Sequence, residues 1–270
     1  MPFSKYKMWA KGPAVGDGVT GAIYLGVSAV AKSASPKFPN LLVNEVVCSH
    51  LARVLMLPIP PGFVVEDGTE SYFASLDFSL AGESLPPVNP KNLVSEHPSL
   101  AVGIVVFDSW VMNHDRHRRN LAFDKTSNKV QIFDHSHALL AGCVDIASTL
   151  TDYEGKLCIG NHCLAPHIYD GIELINWLGR LESIPDYYIR EAVNGDNGGN
   201  LDLVDAGLLV DFLLRRRDNL RHIFESNLAK FPELPIDLKL VKVSSAPIAT
   251  KPNSVATAPP AAKASQGNPK

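Results

Sequence analysis

The sequence is short of most features that would assign it to a class outright. It has little charge imbalance, with 25 Lys and Arg against 28 Asp and Glu in 270 residues. That excludes a chain held open by self-repulsion, and it argues against bulk electrostatic binding of nucleic acid. It has no long hydrophobic run. The stretch Leu100–Phe107 is far shorter than the ~20 residues a membrane helix needs, so no membrane association is expected. No apolar run follows the lysines of Met1-Pro-Phe-Ser-Lys5, so no secretory leader is expected. Its four cysteines, Cys48, Cys143, Cys158 and Cys163, are too few for a disulfide scaffold of this size. The expectation is a cytoplasmic protein with its thiols reduced.

What is present divides unevenly. Residues 244–270 hold five prolines, seven alanines and no acidic residue. Such a segment cannot offset its ordering entropy by burial and reads as a disordered Pro/Ala-rich tail. Residues 1–243 then form the folding unit. Its first part, about 1–83, alternates short apolar runs with glycines and contains one helical pattern, Leu41–Leu57, capped by Asn40 and stopped by Pro58, Pro60 and Pro61. Strands are expected at Tyr6–Ala10, Ala22–Leu25, Val27–Lys32, Gly62–Glu66 and Tyr72–Phe78. The proline-rich Ser84–Pro90 reads as a connector. From about 91 to 243 helical patterns dominate: Ser99–Met112, Gly171–Glu182, Pro185–Val193 and Asp202–Lys230. A hairpin at Leu121–Phe123 and Val130–Phe133 interrupts them. The class is α+β, with a small β-rich lobe followed by a larger, mainly helical one.

The polar segment Asn113-His-Asp-Arg-His-Arg-Arg-Asn120 lies between an apolar helix and this hairpin, and Asp134 follows the second hairpin strand. Asp115 and Asn120 have the Asp-x4-Asn spacing of a kinase catalytic loop, and Asp134 stands where a kinase holds its metal-binding aspartate. Phosphoryl transfer needs a carboxylate facing the attacking hydroxyl, which suits Asp115. It also needs hard oxygen donors for Mg²⁺, which an amide and a carboxylate (Asn120, Asp134) supply. A solvated polar turn, or a metal cluster of His114, His117, His135 and His137, is the alternative reading of the same residues. The latter would make the chain a His/Asp metallohydrolase.

The segment Phe107–Asn120, with Ile132-Phe-Asp-His-Ser-His-Ala-Leu139, resembles the HipA-like kinases and, more distantly, phosphatidylinositol-kinase-like enzymes. Asn44-Glu45, Leu51-Ala-Arg53 and Leu57-Pro-Ile-Pro60 are similar to the family's helix and following turn. The resemblance implies a bilobal protein-kinase-like fold, ATP and Mg²⁺ as cofactors, and a serine/threonine protein kinase activity. It implies Asp115 as catalytic aspartate, Asn120 and Asp134 as metal ligands, and Glu45 as partner of an ATP-contacting lysine. Lys32 is the best match for that lysine, with Lys11 and Lys37 as rivals. The loop containing Gly16, Gly18 and Gly21 is a degenerate phosphate-loop match. The chain is shorter than HipA toxins that carry an added N-terminal subdomain, and an antitoxin-like partner is conceivable without being identifiable.

Several features depart from ordinary protein kinases. His-Ser follows Asp134, His114 precedes Asp115, and no Ala-Pro-Glu segment is present. A small-molecule or lipid-headgroup kinase, and a nucleotide-binding pseudokinase, therefore remain alternatives. Among the other features, Cys158-x3-His162-Cys163-x3-His167 lacks the regular spacing of a zinc site and reads as core or loop. Arg215-Arg-Arg217 with Arg221 reads as a solvated basic helix face, Trp110 and Trp177 as core, and Arg116 through Arg119 as candidate phosphate or acceptor contacts.

Overall fold

The computed structural model describes residues 8–14, 22–77, 87–124, 128–195, 201–235 and 237–241. The glycines Gly18 and Gly21 and the tail 244–270 lie outside them.

The N-terminal part is built from two small antiparallel sheets. Strands β1 (Met8–Ala14) and β2 (Ile23–Val27) form a hairpin of their own, whereas β3 (Ala29–Ser33), β4 (Gly62–Glu66) and β5 (Ser71–Leu76) make a sheet of order β3-β5-β4. The chain breaks between β2 and β3 at Ser28 and not at the expected Gly26. The Ser28 carbonyl accepts from Asp77 N (2.9 Å) and its hydroxyl donates to Asp77 Oδ2 (3.2 Å), which ties the turn to the end of β5.

Helix α1 (Leu41–Val54) is buried on nearly every side from Leu41 to Ala52, against this sheet and against the helical part. It ends three residues before the expected Leu57. Met56 is left-handed (φ 58°), Met56 N donates to Arg53 O and Leu57 N to Ala52 O, both at 2.9 Å. This paired closure satisfies the last carbonyls, so the helix stops before the prolines are reached.

The helical part opens with a short helix the periodicity did not reveal, α2 (Pro90–Glu96), capped by the Asn89 side chain on Asn92 N. Helix α3 (Pro98–Trp110) follows and is wholly buried from Ala101 to Trp110. It closes as α1 does, with Met112 at φ 54° and Asn113 N on Asp108 O at 2.8 Å. That closure turns the chain sharply into the polar loop. The hairpin β6 (Leu121–Asp124) and β7 (Lys129–Ile132) comes next, then α4 (Ile146–Tyr153), α5 (Gly171–Glu182), α6 (Asp186–Asn194) and α7 (Leu203–Glu225). One apolar core runs from Val43 and Val47 of α1 through α3 to Phe212 and Phe224 of α7.

Candidate active site

Three residues from distant segments meet at the junction of the two parts. Lys32 on β3 places Nζ 2.8 Å from Glu45 Oε1 of α1 and 2.7 Å from Asp134 Oδ1. Asp134 sits in the left-handed region (φ 62°), a conformation non-glycine residues adopt only when neighbours hold them there. Here Ser136 Oγ donates to Asp134 Oδ1 at 2.7 Å. Burial works against each charge in the triad. For Asp134 the Lys32 ammonium and the Ser136 hydroxyl outweigh it, holding the carboxyl down to about 2. For Lys32 the two carboxylates outweigh it and the pKa rises. Glu45, only 3% exposed, is pushed up by burial, which with the nearby Asp134 charge outweighs its pairing with Lys32.

The loop after α3 is organised by a residue that sequence alone marks as a phosphate or acceptor contact. Arg116 is instead fully buried and uses every N–H it has. It forks onto Asp108 (Nε–Oδ2 2.7 Å, Nη2–Oδ1 3.0 Å), and Nη1 donates to the carbonyls of Asn120 and Phe133, both at 2.8 Å. Its remaining bond goes to His135 Nε2 at 2.8 Å. Since a guanidinium only donates, His135 Nε2 accepts and Nδ1 carries the proton. Burial and then the nearby Arg116 charge press the His135 pKa down to about 3, so the ring is neutral. Its Nδ1 lies 4.0 Å from Glu45 Oε2, while its backbone N donates to the same oxygen at 3.2 Å. Asp108, also fully buried, accepts further from Asn113 Nδ2 (3.0 Å) and faces His162 Nε2 at 3.1 Å. Although burial opposes its charge, Arg116 and His162 hold the Asp108 carboxyl far below its usual range.

Asn120 and Asp115 are joined through the loop itself. Asn120 is buried, and its Nδ2 donates to Asp115 O at 2.8 Å, leaving the amide oxygen as its acceptor. Phe133 N donates to Asn120 O at 3.3 Å, so Asn120 is held beside the residue that precedes Asp134. The Asp115 carboxylate is 40% exposed, 3.8 Å from His117 Nε2. A cavity of about 510 Å³ opens between the β3-β5 face and the β6–β7 hairpin, within the range of ligand pockets. Lys32, Glu45, Asp134 and Arg119 lie in its wall together with apolar Val30, Phe73, Leu121 and Phe133. Asp115 and Asn120 are not part of that wall.

The rival lysines stand elsewhere. Lys11 is on β1 opposite Leu25, and Lys37 lies over the Phe38 ring at 5.2 Å. The arginines of α7 correct the expectation of a solvated face. Arg216 is fully buried and bonds the carbonyls of Ser109, Trp110, Tyr153, Glu154 and Lys156. Arg217 pairs with Asp186 and Asp218, and Arg221 with Glu182. Among the described residues no group of three or more His, Cys, Asp or Glu could hold a metal ion. His162 serves the Asp108 network, and its Nδ1 accepts from Leu164 N and Ala165 N.

Residues 29–148 match the family model described as HipA-like kinase. The match spans somewhat less than half of the chain. Lys32, Glu45, Asp115, Asn120 and Asp134 all fall within it. The structure is similar to that of a Helicobacter pylori proinflammatory kinase, CtkA. The two share 14% identity at a TM-score of 0.53, covering 84% of this chain and 96% of that one. At that identity the likeness speaks for the fold. A second similar structure is HipA of Shewanella oneidensis MR-1, solved with HipB and operator DNA. It shares 16% identity at a TM-score of 0.47, over 75% of this chain and 61% of that one. No curated protein matches the chain. The α+β kinase fold expected from the HipA-like motifs is therefore the one observed. No described helix is long and apolar enough to cross a membrane.

Proposed function

We propose that the chain is a HipA-like kinase that uses ATP and Mg²⁺ to phosphorylate a serine or threonine hydroxyl of a protein, in a cytoplasmic setting, with residues 1–243 as its kinase body. The observation that supports this most directly is the meeting of Lys32, Glu45 and Asp134 at the wall of a nucleotide-sized cavity. Lys32, steadied by Glu45, binds the α- and β-phosphates. The oxygen donors available fit Mg²⁺: the Asn120 amide oxygen just before β6 and the Asp134 carboxylate just after β7 are hard ligands at the Arg116-braced junction. When bound, the ion neutralises phosphate charge, and the chain's own residues do the rest. Asp115, the exposed carboxylate, orients the acceptor hydroxyl and takes its proton. The hydroxyl oxygen forms its bond to the γ-phosphorus as the bond to ADP breaks. The apolar walls formed by Val30, Leu121 and Phe133 exclude water from the nucleotide.

Asp115→Asn and Asp134→Asn should each lower phosphoryl transfer by about 10³-fold, because positioning and charge stabilisation supply most of the rate. Radiolabel transfer from ATP would measure it, and near-wild-type transfer in either variant refutes the assignment. Intact mass after incubation with ATP and Mg²⁺ separates an active kinase from a pseudokinase: a gain of one phosphate excludes the latter.

A further inference from the structure

The segment between α4 and α5 reaches back to the polar loop through one buried imidazole. His162 is buried, and both of its ring nitrogens are engaged. Nδ1 accepts from Leu164 N at 3.2 Å and Ala165 N at 3.3 Å, so the proton sits on Nε2, which donates to Asp108 Oδ2 at 3.1 Å. Leu164 and Ala165 are themselves fully buried, so the ring is aimed from a fixed base. The next residue adds a second tie, Cys163 N donating to Arg116 O at 2.9 Å. Asp108 receives its donors in balance. Its Oδ2 accepts from Arg116 Nε (2.7 Å) and His162 Nε2, its Oδ1 from Arg116 Nη2 (3.0 Å) and Asn113 Nδ2 (3.0 Å). Each carboxylate oxygen thus holds one guanidinium bond and one neutral donor. Without His162, Oδ2 loses the donor that helps fix the plane in which the guanidinium is held. On its other side that guanidinium binds the carbonyls of Asn120 and Phe133 through Nη1. The first belongs to one assigned metal ligand, and the second to the residue before the other.

We propose that His162 is a positioning residue for phosphoryl transfer: through Asp108 and Arg116 it fixes the backbone that carries Asn120 and Asp134. The proposal rests on the kinase reading above and adds to it a residue from outside the segment 29–148 that matches the family model. Groups that orient metal ligands commonly contribute about 10–100-fold in metal affinity or activity. Small displacements matter at such a site, since a misplacement of about 1 Å can cost about 10²-fold in rate. The Lys32–Glu45 pair makes its own bond at 2.8 Å and does not run through His162. The loss of His162 should therefore fall on turnover and on the metal, and leave the KM for ATP nearly unchanged.

The two ring nitrogens can be tested apart in the full chain. In His162→Gln the amide reaches the place of Nε2 and still donates to Asp108. In His162→Asn it reaches only that of Nδ1 and serves the turn at Leu164. Radiolabel transfer from ATP to the chain itself or to casein is measured at saturating ATP and Mg²⁺, well below the melting temperature of either variant. The affinity for Mn²⁺ beside a non-hydrolysable ATP analogue is read by electron paramagnetic resonance. His162→Asn should lower transfer by about 10–100-fold and weaken Mn²⁺ by about 10-fold or more. His162→Gln should stay within about threefold of the unaltered chain in both, although both variants melt at a lower temperature. A role in stability alone would make turnover follow melting temperature. Unaltered transfer or Mn²⁺ affinity in His162→Asn overturns the proposal, as do equal losses in the two variants. A His162→Asn chain that does not fold overturns it too, because the bond to Asp108 would then be structural. If the unaltered chain binds Mn²⁺ with the analogue but transfers no phosphate, the kinase reading falls and the Mn²⁺ comparison alone decides the positioning role. If it does neither, both fall.

Discussion

At the scale of single residues, the most consequential side chain is Arg116. It is one residue from the exposed Asp115 yet entirely buried, and it binds the carbonyls on either side of the site, those of Asn120 and Phe133. Losing it would leave the buried Asp108 carboxylate without its guanidinium, with only Asn113 Nδ2 and His162 Nε2 to face it. Breaking one partner of a buried ion pair costs about 3–5 kcal/mol, so Arg116→Ala should lower the unfolding free energy by that order in a denaturant titration. Arg116→Lys should also lose stability, since a point charge cannot reproduce the forked contacts. His135 makes a second prediction. Its pKa falls from 6.5 to about 3 on folding. The unfolded chain therefore binds a proton below 6.5 that the folded chain refuses, and stability declines as pH falls from about 6.5 toward 3. His114, whose pKa burial also lowers, adds in the same direction. Unfolding curves at pH 7.5 and 5.5 should show the loss, and His135→Gln should show a smaller one. Asp115 and Asn120 were legible by their spacing, and Lys32 and Glu45 through the family resemblance. The partners of Arg116 were not. They are Asp108 on α3, the carbonyls of Asn120 and Phe133 on either side of the hairpin, and His135 beyond it, so no local pattern separates a buried arginine from a solvated one.

At the scale of elements, packing distinguishes glycines that composition treats alike. Gly103 lies in the middle of α3 against the Trp177 ring of α5, and a Cβ there would overlap the indole. Gly207 on α7 is exposed, with open space where its Cβ would be. Gly103→Ala should therefore destabilise by about 1–3 kcal/mol through overpacking, against a helix-propensity gain of at most about 1 kcal/mol. Gly207→Ala should stabilise by about 0.5–1 kcal/mol. Melting temperatures of the two variants should move in opposite directions. The same contrast explains what was legible of the elements. Helices α3, α5 and α7 declared themselves by long apolar patterns. Helix α4 is only Ile146–Tyr153, with Leu150 its one fully buried residue, and α2 is held by Asn89 and packing. Their signals were too short to rise above turn composition. The basic run at Arg215–Arg217 misled because Arg216 satisfies itself on backbone carbonyls, which a sequence does not display.

At the scale of the whole molecule, α1 decides how the parts behave. It carries Glu45 toward Lys32 on the β3-β5-β4 sheet, and its Asn44 bridges to the other part. Asn44 Nδ2 donates to Ser136 O at 3.0 Å, and its Oδ1 accepts from Leu140 N at 3.1 Å. Asn40 Nδ2 reaches Leu140 O at 3.1 Å. Val43, Val47 and Leu51 of the same helix belong to the core shared with α3 and α7. A helix buried on nearly every side leaves the sheet little room to part from the helices without exposing apolar surface and these amides together. The two parts should accordingly unfold as one unit. Equilibrium denaturation of a Trp9→Phe variant followed by far-ultraviolet circular dichroism and by tryptophan fluorescence should give coincident transitions, the fluorescence then reporting the buried Trp110 and Trp177 of the helical part. A ligand bound where Lys32 meets Asp134 touches both parts, so a non-hydrolysable ATP analogue with Mg²⁺ should shift that single transition upward, by about 2.7 kcal/mol at a hundredfold excess over its Kd. In Lys32→Met the shift should largely vanish while the transition stays single. Two separated transitions in the unliganded protein would show that α1 does not join the parts. A full shift in Lys32→Met would show that nucleotide binds away from the Lys32–Asp134 junction.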